Sequence, residues 1–247
     1  MISSIPEGSA LGRHTLTVAI MQPYFLPYIG YFQLLSAVDS FVVYDHIKYT
    51  KKGWINRNRF LLNGTDAMFS LPLKKGADGL DVADRELSAD FDRTKLLNQF
   101  KGAYQRAPHF ESTFAILEDI VHHKDDNLFR YIHHSLATIC NHLGIDTKIV
   151  VSSTLEFDNN LKAQDKVLAI CDVMNATSYI NSIGGTDLYN QEDFNQRGVE
   201  LKFLRSRPFS YPQFGNQFAP WLSIVDVLMF NPVADIRAGL MTNYDLL

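Results

Sequence analysis

The chain has little cysteine, little net charge and no long apolar run, and each shortage removes a class of protein. Two cysteines, Cys140 and Cys171, in 247 residues cannot make a disulfide framework. Both fall on apolar helical faces, so core thiols in a reducing compartment are expected and the chain reads as cytoplasmic. The 27 acidic and 23 basic residues leave a net charge of -4. That is not the global positive field that holds nucleic acid or an anionic membrane. No apolar run approaches the roughly 18–20 residues that span a bilayer. Residues 1–14 lack the apolar core of a signal peptide, and their Ser, Gly and Pro suggest a flexible lead-in over residues 1–15.

Familiar chemical signatures are missing too. There is no Walker Gly-Lys-Ser/Thr loop, no dinucleotide Gly-x-Gly-x-x-Gly and no Gly-x-Ser-x-Gly elbow. Eight histidines are present, among them His122-His123 and His133-His134, but no His-x3-His or Cys-x2-Cys spacing occurs. They read as solvated helix faces; no metal site is expected and no cofactor is evident.

What is present is an α/β pattern, and 46% hydrophobic composition is enough for one large domain of that class. Val18 to Leu35 reads as a buried strand, a Pro-bracketed aromatic turn and a helix, and Phe41 to Asp45 follows as a second buried strand. The apolar runs are continuous, as expected for parallel strands covered on both faces. Trp54–Leu62 and Asp66–Leu73 meet at Asn63-Gly64, the strongest short hairpin signal because both turn residues must accept positive φ. Residues 92–144 read as a wholly helical insertion, broken at Pro108 and stopped at Gly144. The βα alternation resumes over residues 145–247. With residues 16–91 as the first half, this predicts a Rossmann-like open parallel sheet of about five strands, a β-hairpin and an inserted helical block.

In such sheets ligands bind beyond the strand carboxyl ends. Gln22, Pro23, Tyr24, Tyr28 and Tyr31 sit at the first of these ends. They read as a pocket, with Tyr28 and Tyr31 offering hydroxyls from the helix start and free N–H groups there suiting a phosphate. The alternative is a rigid turn of packed tyrosines. Asp45, at the second strand end, suits a sugar hydroxyl or a proton, or else pairs with Lys48 or Arg57. Alternation along the hairpin arm puts Arg57 and Arg59 on one face to clamp an anion, and Trp54, Asn56 and Asn58 on the other to meet a ring. A charged edge strand explains the arginines equally. Asn181-Ser182-Ile183-Gly184-Gly185 exposes backbone N–H groups for a phosphate or carboxylate, or is simply a tight turn. Ser223 and Asp226 share one face of an apolar helix. An ionised carboxylate is too costly to bury unpaired, so Asp226 needs a cation or donors, and Arg57 is the expected partner.

Taken together, Gln22-Pro-Tyr-Phe-Leu-Pro-Tyr-Ile-Gly-Tyr-Phe32, Asp45 and Trp54-Ile-Asn-Arg-Asn-Arg59 resemble the opening of the WbqC-like proteins. Gly184-Gly-Thr-Asp-Leu-Tyr189, Tyr211-Pro-Gln213 and Phe218-Ala-Pro-Trp-Leu-Ser-Ile-Val-Asp226 resemble their closing motifs. The likeness spans about residues 16–231. It implies a cytosolic protein of surface-polysaccharide (O-antigen) and related amino-sugar clusters, and it adds Tyr189, Tyr211 and Gln213 to the site residues. The strand–turn–helix also resembles, more distantly, nucleotidylyltransferases and pantothenate synthetase. Their His-x-Gly-His element is matched in place by Tyr28-Ile29-Gly30-Tyr31, where Gly30 lets a ligand approach the helix start.

The reading that follows is a transferase acting on a nucleotide-linked amino sugar, by N-acyl or aminoacyl transfer to its amine. Asp45 or Asp226 is the general base, Tyr28 joins them in catalysis, and the other residues named bind substrate, with Arg57 on an anionic group. The expected partners are a nucleotide sugar or acyl donor and a carrier protein, with no nucleic acid and no membrane span. A nucleotidylyltransferase-like enzyme using ATP or CTP, and a non-catalytic nucleotide- or sugar-binding protein, are the alternatives. All versions need Tyr28, Asp45, Arg57 and Asp226 around a single hollow.

Overall fold

The computed structural model describes residues 15–215 and 217–247. The expected lead-in lies outside these residues, apart from residue 15. Strand β1 (Thr17–Met21) runs through the aromatic turn into helix α1 (Ile29–Ser36), and β2 (Ser40–Val43) pairs parallel to β1. Hairpin strands β3 (Arg57–Leu62) and β4 (Thr65–Ser70) form a separate antiparallel sheet. Their turn uses Asn63 at φ 51° and Gly64 at φ 81°, the left-handed pair an Asn-Gly turn supplies.

Three helices follow: α2 (Arg93–Tyr104), α3 (Phe110–His122) and α4 (Leu128–Leu143). Gly144 caps the last of them at φ 61°, a conformation that favours glycine. Leu128, Ile132, Leu136, Ile139 and Leu143 are all fully buried, as the helical stripe requires. Then come β5 (Lys148–Val151), α5 (Ala163–Met174), β6 (Ser178–Ser182), α6 (Gln191–Gln196) and β7 (Glu200–Ser206). Helices α7 (Ile224–Phe230) and α8 (Val233–Thr242) precede a last strand, β8 (Tyr244–Leu246).

The main sheet has the order β5-β2-β1-β6-β7-β8, parallel except for β8. The fold is therefore α/β, as the sequence predicts, with five parallel strands. The antiparallel edge strand β8 was not expected, because three terminal residues carry no usable periodicity. Strand order reverses between β1 and β6, which makes their carboxyl ends the topological switch point.

Successive side chains leave a strand on opposite faces, and the sheet buries both. Ala19, Phe41, Val43, Ile180 and Leu204 join one core with α1, the hairpin, α2–α4, α7 and α8. Val18, Ile20, Val42, Tyr179 and Leu201 join the other with Val167, Leu168, Cys171 and Phe194 of α5 and α6. Both cysteines are free and buried, and burial pushes each thiol up to about 12. At that value neither is a nucleophile at neutral pH.

Candidate functional site

Two hollows open at the carboxyl edge of the sheet. The first, of about 310 Å³, lies at the switch point. Tyr24 and Tyr28 reach it from the turn after β1, Ile183 from the β6 exit, Leu204 and Ser206 from β7, Asn58 and Arg59 from β3, and Trp54 and Trp221 from loops.

The turn is held open by specific bonds. Leu26 adopts φ 46°, a left-handed backbone that costs a non-glycine residue energy. Its carbonyl accepts from Asn58 Nδ2 at 2.8 Å and Ser223 Oγ at 2.7 Å. Phe25 N donates to Ile55 O, and Ile224 N to Pro27 O. The turn is thus strapped to both the hairpin and the start of α7. Gly30 serves the Tyr28 ring: a Cβ there would lie 2.3 Å from that ring and 2.6 Å from its hydroxyl oxygen. The space the sequence assigns to an approaching ligand belongs to Tyr28 itself.

Four aromatic rings, Tyr24, Tyr28, Trp54 and Trp221, wall this hollow. Trp54 and Trp221 are 41% and 44% exposed, although both are large and apolar. Trp221 also sits at φ 59°, with its ring edge-on to Tyr28 at 6.1 Å. Burial raises the Tyr24 and Tyr28 phenols above their ordinary value, and Tyr24 is raised further by its neighbour Tyr28. Both therefore stay protonated at neutral pH and offer hydrogen bonds. Arg59 is the charged residue of the wall. Its Nη1 meets Asp66 at 3.2 Å and its Nη2 donates to Trp221 O at 3.4 Å, while Nε is buried with no partner among the described residues.

The second hollow, about 620 Å³, is lined by Gln22, Tyr44, His46, Lys48, Asp81, Lys162, Lys166 and Tyr189, among others. His46 lies between two carboxylates, Nε2 3.8 Å from Asp45 and Nδ1 3.6 Å from Asp81.

The four groups expected around one hollow do not converge. Tyr28 lines the first. Arg57 folds back onto the carbonyls of Gly53 (2.8 Å) and Lys52, with its guanidinium 5.8 Å from the Trp54 ring. Asp45 binds neither Lys48 nor Arg57. It accepts from Ser152 Oγ at 2.7 Å and Ser153 N at 3.0 Å, which ties the β2 exit to the β5 exit. Asp226 has no exposure and, among the described residues, no cation: Tyr104, Tyr211 and Gln213 donate to it at 2.8, 2.6 and 2.6 Å. The expected Arg57–Asp226 pair is therefore corrected to three neutral donors. Burial raises the Asp226 carboxyl, and those donors offset the rise only in part.

The remaining residues divide similarly. Gln22 and Tyr189 line the second hollow. Tyr31 is buried and donates its hydroxyl to Gln22 O, so it pins the turn instead of facing a ligand. Pro23 is buried in the turn. Asn56 is buried between Tyr49 and the Leu71 carbonyl. Tyr211 spends its hydroxyl on Asp226, and Gln213 divides its amide between Asp226 and the backbone of Ala219. Ser223 caps α7, donating to Leu26 O and accepting from Val225 N. The backbone after Asn181 and Ser182 winds into a 3-10 turn over Ile183–Leu188 in place of the exposed loop expected. Gly184 is exposed there, and a Cβ on Gly185 would lie 2.4 Å from Asn181 Nδ2. Strand pairing begins only at Arg57, so alternation does not extend back to Trp54. Its ring lies on the side of Arg57 and Arg59, not opposite them. Asn58 does reach the hollow as the sequence suggests, whereas Trp221 and Ser206 were not singled out by sequence reasoning. For Trp221 a signal existed in the solvent-side aromatic after Pro220.

Asp45 carries a pH prediction. Burial pushes its carboxyl up, but hydrogen bonds from Ser153 and Ser152 outweigh this and hold it below its ordinary 3.8. A depressed folded value gives stability that is present above the unfolded value and lost as pH falls through the folded one. The melting-temperature gap between wild type and Asp45→Asn, measured from pH 7 downward, should therefore narrow below about pH 4. A gap that stays constant to lower pH contradicts the assignment.

A mostly parallel α/β sheet whose strand order reverses beside an aromatic hollow places the fold in the Rossmann-like class. The WbqC-like protein family model matches residues 22–238, and the chain belongs to that family. It is 26% identical over 221 residues, 88% of this chain and 94% of the other, to "Uncharacterized protein Rv1507c" of Mycobacterium tuberculosis (strain ATCC 25618 / H37Rv). No solved structure matches significantly. Among the described residues, no helix is long and apolar enough to cross a membrane.

Proposed function

We propose that the chain is a cytoplasmic transferase of surface-polysaccharide (O-antigen) or related amino-sugar biosynthesis, with the sugar of a nucleotide-linked amino sugar held in the aromatic hollow. One observation carries this: four aromatic rings and one arginine with an unused buried donor stand at the switch point. Rings stack on the apolar faces of a sugar or base, and phenols with a polar tip suit hydroxyl recognition. Arg59 takes an anionic group of the same ligand. Tyr28 donates a hydrogen bond to it. Asp45 acts through His46 in the neighbouring hollow, as a positioning residue, and Asp226 holds the walls together. Nucleotidylyl transfer needs dense cationic stabilisation of the transferred phosphate, and this hollow offers a single guanidinium already shared with Asp66.

The test is incubation with a UDP-linked amino sugar and an acyl thioester. N-acylated sugar and free thiol should appear in equal amounts. Sugar binding without thiol release selects a binding protein, and pyrophosphate released from ATP or CTP selects the nucleotidylyl reading.

A further inference from the structure

The larger hollow has different walls from the aromatic one and a different chemistry. Lys48 enters it from the segment after β2, Lys162 from the position just before α5, and Lys166 from the first turns of α5. Among the described residues none of the three is ion-paired, whereas Lys51, Lys74 and Lys202 each meet a carboxylate. Lys166 is oriented inward: its ammonium donates to His46 O at 3.3 Å and lies 5.3 Å from the Tyr44 ring. Opposing them, Asp81 lines the hollow and Asp45 stands behind His46.

The start of α5 adds to the positive character of this wall. Helix N-termini carry partial positive charge and favour acidic or capping side chains. Here Lys162 occupies the capping position with no side-chain hydrogen bond, and Lys166 follows one turn later. Ala163 between them is held at φ 47°, a left-handed backbone for a residue with a Cβ. Asp165 in that turn is not part of the wall. Three unpaired cations and an uncapped helix end therefore face one concavity on a chain whose net charge is -4. An anion satisfies all of them at once. A single carboxylate does not neutralise three lysines, while a di- or triphosphate does. The volume of about 620 Å³ matches a nucleotide-sized ligand, and the Tyr44 and Tyr189 rings give a base a surface to pack on.

We propose that this hollow is a separate binding site for a phosphate-bearing small molecule of nucleotide size, held by Lys48, Lys162 and Lys166. The site does not depend on what occupies the aromatic hollow.

Calorimetric titration of the full chain with inorganic pyrophosphate and with UDP tests it. Saturable binding of both is expected, UDP tighter. Lys162→Gln with Lys166→Gln should weaken pyrophosphate at least tenfold, and Lys48→Gln should also weaken it. Lys95→Gln on α2, outside both hollows, should leave it unchanged. Unaltered melting temperatures show that the variants fold. Trp54→Ala should leave pyrophosphate binding intact, which separates this site from the aromatic one. No saturable heat with either probe, or pyrophosphate binding that survives the double substitution, overturns the proposal.

Discussion

Asp226→Ala should lower the melting temperature by roughly 6–20 °C, from a loss of about 3–5 kcal/mol. The carboxylate accepts from Tyr104, Tyr211 and Gln213, and Tyr104 Oη in turn accepts from Leu61 N at 2.8 Å. One side chain thereby ties α7 to α2, to the hairpin and to the loop that carries Trp221. Alanine strands the buried Tyr104 hydroxyl, removes the acceptor of the part-buried Tyr211 hydroxyl and leaves Gln213 only its bond to Ala219 O; each stranded buried donor costs about 1–3 kcal/mol. Tyr211→Phe removes one donor and keeps the ring, so a loss of about 1 kcal/mol is expected. Urea unfolding of the three proteins checks the order. An Asp226→Ala variant as stable as wild type but without turnover would return Asp226 to catalysis.

The second large effect concerns binding. Truncating an aromatic side chain at the centre of a binding site costs about 2 kcal/mol or more, roughly thirtyfold in affinity. Trp54→Ala should weaken a UDP-linked amino sugar by that factor. Trp221 allows a sharper test. Its backbone at φ 59° suits glycine, which has no Cβ to strain. Trp221→Gly should therefore lose binding with little loss of melting temperature, because relief of backbone strain offsets the missing contact with Tyr28. A variant that loses both equally marks Trp221 as a packing residue.

Much of the fold was legible because its signals are local. Continuous apolar strands, the Pro-bracketed turn, Asn63-Gly64 and Gly144 each specify a backbone state within a few residues. Part of the aromatic hollow was legible for the same reason: Tyr24 and Tyr28 belong to a Pro-fixed turn at a strand end, and both line the hollow. The choice between Arg57 and Arg59 was not. They share a strand face, and only the irregular path of residues 51–56 supplies the carbonyls that draw Arg57 away. Asp226 was opaque because one of its three donors, Tyr104, lies 122 residues distant. Lys48 drew notice only as a possible partner of Asp45, and nothing local marks Lys162 or Lys166. Only the parallel crossover through α5 brings them to one concavity.

The two tryptophans of the chain both line the aromatic hollow, so tryptophan emission reports on that place alone. In the Lys162→Gln/Lys166→Gln variant, titration with a UDP-linked amino sugar should change the emission saturably, with the same midpoint that calorimetry gives for binding, and adding Arg59→Ala should shift both together. Emission that stays constant while calorimetry registers binding puts the sugar elsewhere and contradicts the assignment of the hollow.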